Sequence, residues 1–307
     1  MNCKISIVIP VFRGETTIGP LVDRLFHELG DALIQVVLVN DGSPDDSDRA
    51  CREVQTRFRG RCVYIRLARN YGEHNAVMAG MAKSIGDYTV TMDDDFQNPP
   101  EEVLKLVRHA SSHQCDVVYS QYSKKNHRLW RNLGSRLNNL VATVLLKKSH
   151  DLYLSSFKCM DRWLVTEILK YKGPYPYIDG LILQRTSRIG TVEVRHDRRL
   201  EGRSNYTLRK LISLWLRVFV NFSVIPLRIS TVVGLVMSML GALLGSAVVI
   251  ERISNPEIPV GWASLVVVVV LFSGVQLVML GLIGEYLGRL FLTVNGTPQY
   301  TIREELS

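Results

Sequence analysis

The first two hundred residues alternate between short apolar runs and amphipathic stretches. KISIVIP, IQVVLVN, CVYIRLA, YTVTM and CDVVYS are rich in β-branched residues and read as strands. Helical spacing fills the intervals around 15–29, 45–57, 73–84 and 99–110. Strand and helix in alternation predict an α/β domain, residues 1–205, with a mostly parallel sheet covered by helices on both faces. Ligands of such sheets sit beyond the carboxyl ends of the strands. The polar segments fall there: Pro10 to Glu15, Asn40 to Ser43, Arg69 to Gly72, and the run from Asp93.

The pattern then changes. Thr207 to Phe222 places Arg209, Lys210, Ser213, Arg217 and Asn221 in one helical sector and apolar residues in the rest, which predicts an interfacial amphipathic helix within 206–228. Residues 229–250 and 260–284 carry no charge and are long enough to span ~30 Å of hydrocarbon. A short Pro-broken loop, 251–259, joins them, and residues 285–307 form a tail. Basic residues flank the pair (Arg203, Arg209, Lys210, Arg217 and Arg228 before it; Arg289 and Arg303 after it), so both ends are expected on the cytoplasmic side of the cytoplasmic (inner) membrane. Glycines recur along both spans, at Gly234, Gly241, Gly245, Gly274, Gly281, Gly284 and Gly288. They suit either closure of the hairpin or contacts between protomers of a homo-oligomer, and both readings stay open.

Composition sharpens this picture. Of 307 residues, 47% are hydrophobic, and the excess is concentrated after Leu208. The net charge of +8 suits anionic lipid or phosphate-bearing ligands; nucleic acid is not expected, because no nucleic-acid-binding motif accompanies it. Five scattered cysteines with no C-x-x-C spacing predict neither a disulfide framework nor structural zinc. The N-terminus enters directly into KISIVIP, so no cleavable leader is expected. No P-loop or G-x-G-x-x-G motif is present.

The chemistry concentrates in VTMDDDFQNPPEE. In an extended segment Asp93, Asp95 and Gln97 share one face and Asp94 takes the other. Three hard oxygen donors suit Mg²⁺ or Mn²⁺, which leave positions open for phosphate oxygens. A solvated turn before a helix capped near Asn98 is the alternative. If His127 to Leu146 is helical, Arg128, Arg131, Ser135 and Asn138 share a face, which is either a phosphate-binding stripe or a solvated surface.

IVIPVFRGE, VNDGSPDDS, ARNYGEHNAVMAG, MDDDFQNPPE, RLEGRSNY, the two spans and GEYLGR occur in order along nearly the whole chain. In that set the sequence resembles family 2 glycosyltransferases of the GT-A fold, and among them the polyprenyl-phosphate hexosyltransferases. The resemblance implies inverting transfer of one sugar from a nucleotide-diphosphate donor, UDP favoured over GDP, to polyprenyl phosphate, with undecaprenyl phosphate favoured for a bacterial chain. It implies that Pro10, Val11, Glu15, Asp41 and Asp93 bind the nucleotide, and that Asp93 and Asp95 form the catalytic D-x-D metal motif, with Gln97 assisting. It places Arg199, Gly202 and Ser204, with Arg203 beside them, over the diphosphate, and Arg131 and Ser135 at the acceptor phosphate, where the helical spacing adds Arg128 on the same face. Lys158 is a further candidate for that phosphate.

The sequence departs from the family at one place. Many relatives carry an Asp, taken as catalytic base, where this chain has Ser155-Ser156. A phosphate monoester with its second pKa near ~6 is already dianionic at neutral pH and needs no base; Asp95 or Asp179 would orient it. Two alternatives carry different consequences. A processive polysaccharide synthase is expected to show Q-x-x-R-W and further spans, which this sequence lacks. A catalytically inactive membrane scaffold that binds sugar nucleotides has no need of the intact acidic motif.

Overall fold

The computed structural model describes residues 3–122, 152–195, 225–254 and 261–307. Two compact units emerge, one of residues 1–207 with 296–307, the other of residues 208–295. The predicted amphipathic helix, the segment around Arg128 to Ser135 and the segment around Arg199 to Ser204 lie outside the described residues.

In the first unit the elements run β1 (Ile5–Val11), α1 (Ile18–Leu29), β2 (Leu33–Asn40), α2 (Ser47–Arg57), β3 (Cys62–Leu67), α3 (Glu73–Met81), β4 (Tyr88–Thr91), α4 (Val103–His113) and β5 (Val117–Tyr122). After the undescribed segment come β6 (Lys158–Asp161), α5 (Arg162–Leu169), α6 (Ile178–Arg185) and β7 (Ile189–Val194). The chain ends in β8 (Ile302–Leu306).

One sheet has the order β7-β5-β6-β4-β1-β2-β3-β8. Parallel pairing joins β1 to β2 and β4, β2 to β3, and β5 to β7. β6 runs antiparallel between β4 and β5, and β8 antiparallel to β3, so the sheet is more mixed than the alternation predicts. Ile5, Ile7, Ile9 and Val11 of β1 turn alternate side chains into a core with Leu21 and Leu25 of α1, Val54 of α2, and Leu106 and Val107 of α4. Because both sheet faces are covered, β1 and β2 are buried along almost their whole length.

Part of the segment expected as a tail joins the sheet. Ile302 to Leu306 complete the sheet, with Ile65 opposite Glu305 and Tyr64 opposite Leu306. Lys83 pairs with Glu305, and Arg52 with Glu304, so the charges that make the segment read as a tail find partners on the domain.

The second unit contains α7 (Ile225–Ser254) and α8 (Trp262–Val294). Within them Ser230–Glu251 and Leu271–Val294 are long and apolar enough to cross a membrane. Apolar side chains project outward with little protein cover: Leu235 is 71% exposed and Val278 74%. Pro226 stands in the first turn of α7, where its missing N–H costs no helical bond. α8 continues ten residues beyond the predicted end at Gly284, and Glu285 and Arg289 pair one turn apart in that extension. Gly234 faces Met279 and Gly241 faces Phe272, so these two glycines serve packing between α7 and α8.

Candidate active site

The strand ends determine where polar groups gather. Val11 pairs with Asn40, and Asn40 with Arg66, so β1, β2 and β3 end nearly level. β4 stops at Thr91 opposite Val8, and the next three residues carry the chain up to that same edge.

Pro10 and Val11 close β1. The Val11 carbonyl accepts the Asp41 N–H at 3.1 Å and the Ser43 hydroxyl at 3.3 Å. Asp41 is buried, and its carboxylate accepts the N–H groups of Tyr71 at 2.7 Å and Gly72 at 2.8 Å. Burial raises its pKa, and these two N–H donors oppose the rise. Asp41 thereby ties the loop after β2 to the loop after β3. Gly42 makes that junction possible: its φ is +65°, and a Cβ there would stand 2.6 Å from the Asn70 backbone nitrogen. Glu15 accepts the Asp46 N–H at 3.0 Å. The four nucleotide candidates of the first two loops thus share one sheet edge with the acidic run.

The acidic run is not extended. Strand geometry ends at Thr91, a bend follows, and Phe96 adopts a φ of +59°. Strand alternation therefore does not govern Asp93 to Gln97, and each carboxylate is placed by its own contact. Asp94 turns toward β1: it accepts the Phe12 N–H at 3.2 Å, and a Cβ on Gly14 would lie 2.5 Å from its Oδ2. A side chain at position 14 would displace this carboxylate. Burial pushes the Asp94 pKa up to about 7; the Phe12 N–H opposes this, and Asp93 and Asp95 add to it. Asp93 accepts the Ser156 hydroxyl at 2.7 Å. Asp95 accepts the Gln97 N–H at 3.1 Å, a local Asx turn.

Asp93, Asp95 and Gln97 supply the hard oxygens a divalent cation takes, and this donor set fits Mg²⁺ or Mn²⁺. Among the described residues no three His, Cys, Asp or Glu side chains converge as a metal-holding group. A cation here would therefore draw on these side chains together with oxygens of a bound phosphate.

Beneath the acidic run lies a buried polar group that sequence reasoning did not assemble. Lys158 of β6 is ion-paired with Asp179 of α6, and the Tyr119 hydroxyl donates to the same Asp179 oxygen at 3.0 Å. The Lys158 Nζ lies 5.2 Å from the centroid of the Tyr119 ring. Lys158 is only 4% exposed, which is a different setting from the acceptor-facing cation expected of it. Glu73 and His74 open α3 alongside. Glu73 keeps solvent access, yet the crowding of protein around it raises its pKa to about 7; Asp93 and Asp179 add to the rise and Lys158 opposes it. His74 stands edge-on to Tyr177 at 5.2 Å. Glu73 and His74 lie in the motif ARNYGEHNAVMAG, but nothing in their spacing pointed to β6 or α6. The candidates Arg128, Arg131, Ser135, Arg199, Arg203 and Ser204 lie outside the described residues.

Comparisons with known proteins give the family and the fold. Residues 6–163 match the model of "Glycosyl transferase family 2". The undecaprenyl-phosphate 4-deoxy-4-formamido-L-arabinose transferase of Proteus mirabilis (strain HI4320) is 32% identical over 308 residues, 98% of this chain and 93% of that one. The protein of the same name from Pectobacterium atrosepticum is 31% identical over 309 residues, 99% of this chain and 94% of its own length. Among solved structures, glucosyl-3-phosphoglycerate synthase from Mycobacterium tuberculosis, in complex with Mn²⁺, UDP and phosphoglyceric acid, superposes with a TM-score of 0.54 at 20% identity. That likeness covers 71% of this chain and 76% of the synthase, and it shows the fold. With a family match over half its length and relatives that align from end to end, the chain belongs to glycosyl transferase family 2.

Proposed function

We propose that the protein transfers a single sugar, with inversion, from a nucleotide-diphosphate sugar to undecaprenyl phosphate or a closely similar polyprenyl phosphate at the cytoplasmic face of the membrane. The observation that carries this reading is the end-to-end likeness to undecaprenyl-phosphate sugar transferases, which spans the sheet, the acidic run and both apolar helices.

The residues at the sheet edge divide the work. Asp41, Glu15, Pro10 and Val11 line the nucleoside side, and a uridine donor is favoured. Asp93 and Asp95, with Gln97, hold a divalent cation, Mg²⁺ or Mn²⁺, that offsets the charge of the departing nucleoside diphosphate. Arg199, Arg203 and Ser204 are assigned to the diphosphate, and Arg128, Arg131 and Ser135 to the acceptor phosphate. An acceptor phosphate already ionised attacks the anomeric carbon without surrendering a proton, so positioning by these residues contributes most of the acceleration. The buried pairing of Lys158 with Asp179 favours a supporting role for both.

The two apolar helices α7 and α8 are assigned to the bilayer. Two crossings return a chain to the side it left, and the pairing of β8 with β3 supports such a return. Both ends are assigned to the cytoplasm on this ground together with the flanking arginines and lysines.

The test is a panel of nucleotide sugars, UDP-4-deoxy-4-formamido-L-arabinose and UDP-hexoses included, incubated with the full chain and undecaprenyl phosphate, with mass spectrometry of the lipid. A lipid product carrying one sugar is expected. A polymer, or no turnover of any donor, overturns the proposal.

A further inference from the structure

The residues that replace the family's carboxylate are not idle in this chain. Ser156 donates its hydroxyl to Asp93 Oδ2 at 2.7 Å, and its own carbonyl is pinned by the Thr91 hydroxyl at 2.6 Å. Ser155, only 3% exposed, sits in a relay that reaches the far end of the same turn. The Ser120 hydroxyl donates to Ser155 Oγ at 2.8 Å, Ser155 Oγ lies 2.9 Å from the Tyr122 hydroxyl, and Tyr122 donates to Asn98 Oδ1 at 2.9 Å. The Phe157 N–H adds a further donor to Ser155 Oγ at 3.2 Å. Proton directions are consistent along the line: Ser120 donates to Ser155, Ser155 to Tyr122 and Tyr122 to Asn98, so each hydroxyl spends its one hydrogen once.

We propose that Ser155 and Ser156 are positioning residues that grip the acidic turn at both ends, Asp93 directly and Asn98 through Tyr122. The inference rests on the assignment of Asp93 as a metal ligand made above. Between these two points the turn is a bend through Phe96 at positive φ, with an Asx contact at Asp95 and the Asp94 bond to the Phe12 N–H. Fixing its ends restricts the rotamers of Asp93, the side chain assigned to the cation. A carboxylate at position 156 would instead face Asp93 with like charge. The role at this position is therefore to orient a ligand, in place of accepting a proton. Outer-shell partners of this kind typically change metal affinity by about 10–100-fold when removed.

The experiment uses the full chain in nanodiscs with UDP present, and titrates Mn²⁺ while the resonance of the free aqueous ion is followed by electron paramagnetic resonance. Ser156→Ala is expected to weaken Mn²⁺ binding about tenfold or more. Ser156→Thr, which keeps the hydroxyl, restores affinity toward the parent value. Tyr122→Phe shifts affinity in the same direction by a smaller factor, and it decides the matter if Ser156→Ala does not fold. In steady state Ser156→Ala lowers kcat and leaves the KM for polyprenyl phosphate unchanged. Unaltered Mn²⁺ affinity in both Ser156→Ala and Tyr122→Phe overturns the clamp. Asp93→Ala separates the two levels of the argument: if it loses Mn²⁺ while the serine and tyrosine variants keep it, only the clamp is wrong, and if it also retains Mn²⁺, the metal assignment itself fails.

Discussion

Arg52 of α2 reaches Glu304 of the final strand with both terminal nitrogens, Nη1 lying 2.8 Å from Oε1. The same guanidinium donates to Asp48 at 3.0 Å and stands over the Tyr64 ring. Residues 252 positions apart are thus joined on the surface of one sheet. Both side chains are about one-third exposed, so the ion pair fixes position more than it stabilises. The strand pairing beneath it matters more. Deletion of residues 302–307 should lower the melting temperature of the catalytic unit clearly, whereas Glu304→Gln should shift it little. Thermal melts of the two variants check this; equal shifts would show that β8 contributes no more than its ion pair.

The three aspartates should part company under mutation. Asp93→Asn should reduce sugar transfer by about a hundredfold or more while the protein stays folded and inserted. Asp94→Asn should retain most of its activity, since Asp94 faces the Phe12 N–H and Gly14 and an amide oxygen can accept the same bond. Radiolabelled transfer assays with circular dichroism decide it. Similar losses for both would mean that Asp94 also touches the donor.

Lys158 offers a test of structure against chemistry. Its ammonium and the Asp179 carboxylate are both nearly water-free, so Lys158→Ala strands a buried carboxylate and should cost about 3–5 kcal/mol of stability. The double replacement Lys158→Met with Asp179→Leu removes both charges and should recover much of that loss. A Lys158→Ala protein of parental stability but with a raised KM for polyprenyl phosphate would return Lys158 to the acceptor site.

His74 gives the fold a pH dependence of known sign. Burial holds its pKa down to about 4; the Asp179 carboxylate opposes this and the Lys158 ammonium reinforces it. From about pH 6.5 down to about 4 the unfolded chain takes up a proton that the folded protein refuses, so stability falls as pH is lowered through that window. Below about 4 both states are protonated and the loss is complete. His74→Gln should flatten this part of the stability profile, measured as melting temperature against pH. An unchanged profile would mean that the ring takes up its proton at an ordinary pKa.

Much of the architecture was legible because hydrophobic runs announce buried strands. β1 and β2 are nearly continuous apolar segments bounded by polar loops, and both sheet faces are covered. β6 was not legible: it is four residues, KCMD, and opens on a lysine that only a partner 21 positions away makes tolerable inside. β8 was missed for a similar reason, since IREEL shows its charges and conceals that Arg52 and Lys83 await them. The D-x-D motif was plain, but its geometry was not. Nothing in the letters tells that strand geometry stops at Thr91, before the aspartates whose shared face it predicted, or that Phe96, a bulky residue, then takes a left-handed conformation. Ser155 and Ser156 looked like a gap in the pattern, because a hydroxyl relay through Tyr122 is a property of three elements at once.

The return of the last strand has a consequence for biosynthesis. More than two hundred residues, including both apolar helices, separate β3 from the strand that seals its flank, and all of them must be made before that strand arrives. Until then one border of the nascent sheet stands open. Completion of the enzyme's scaffold is thereby coupled to delivery of its hydrophobic hairpin, and a truncated product carries an unsealed edge that invites association with other chains.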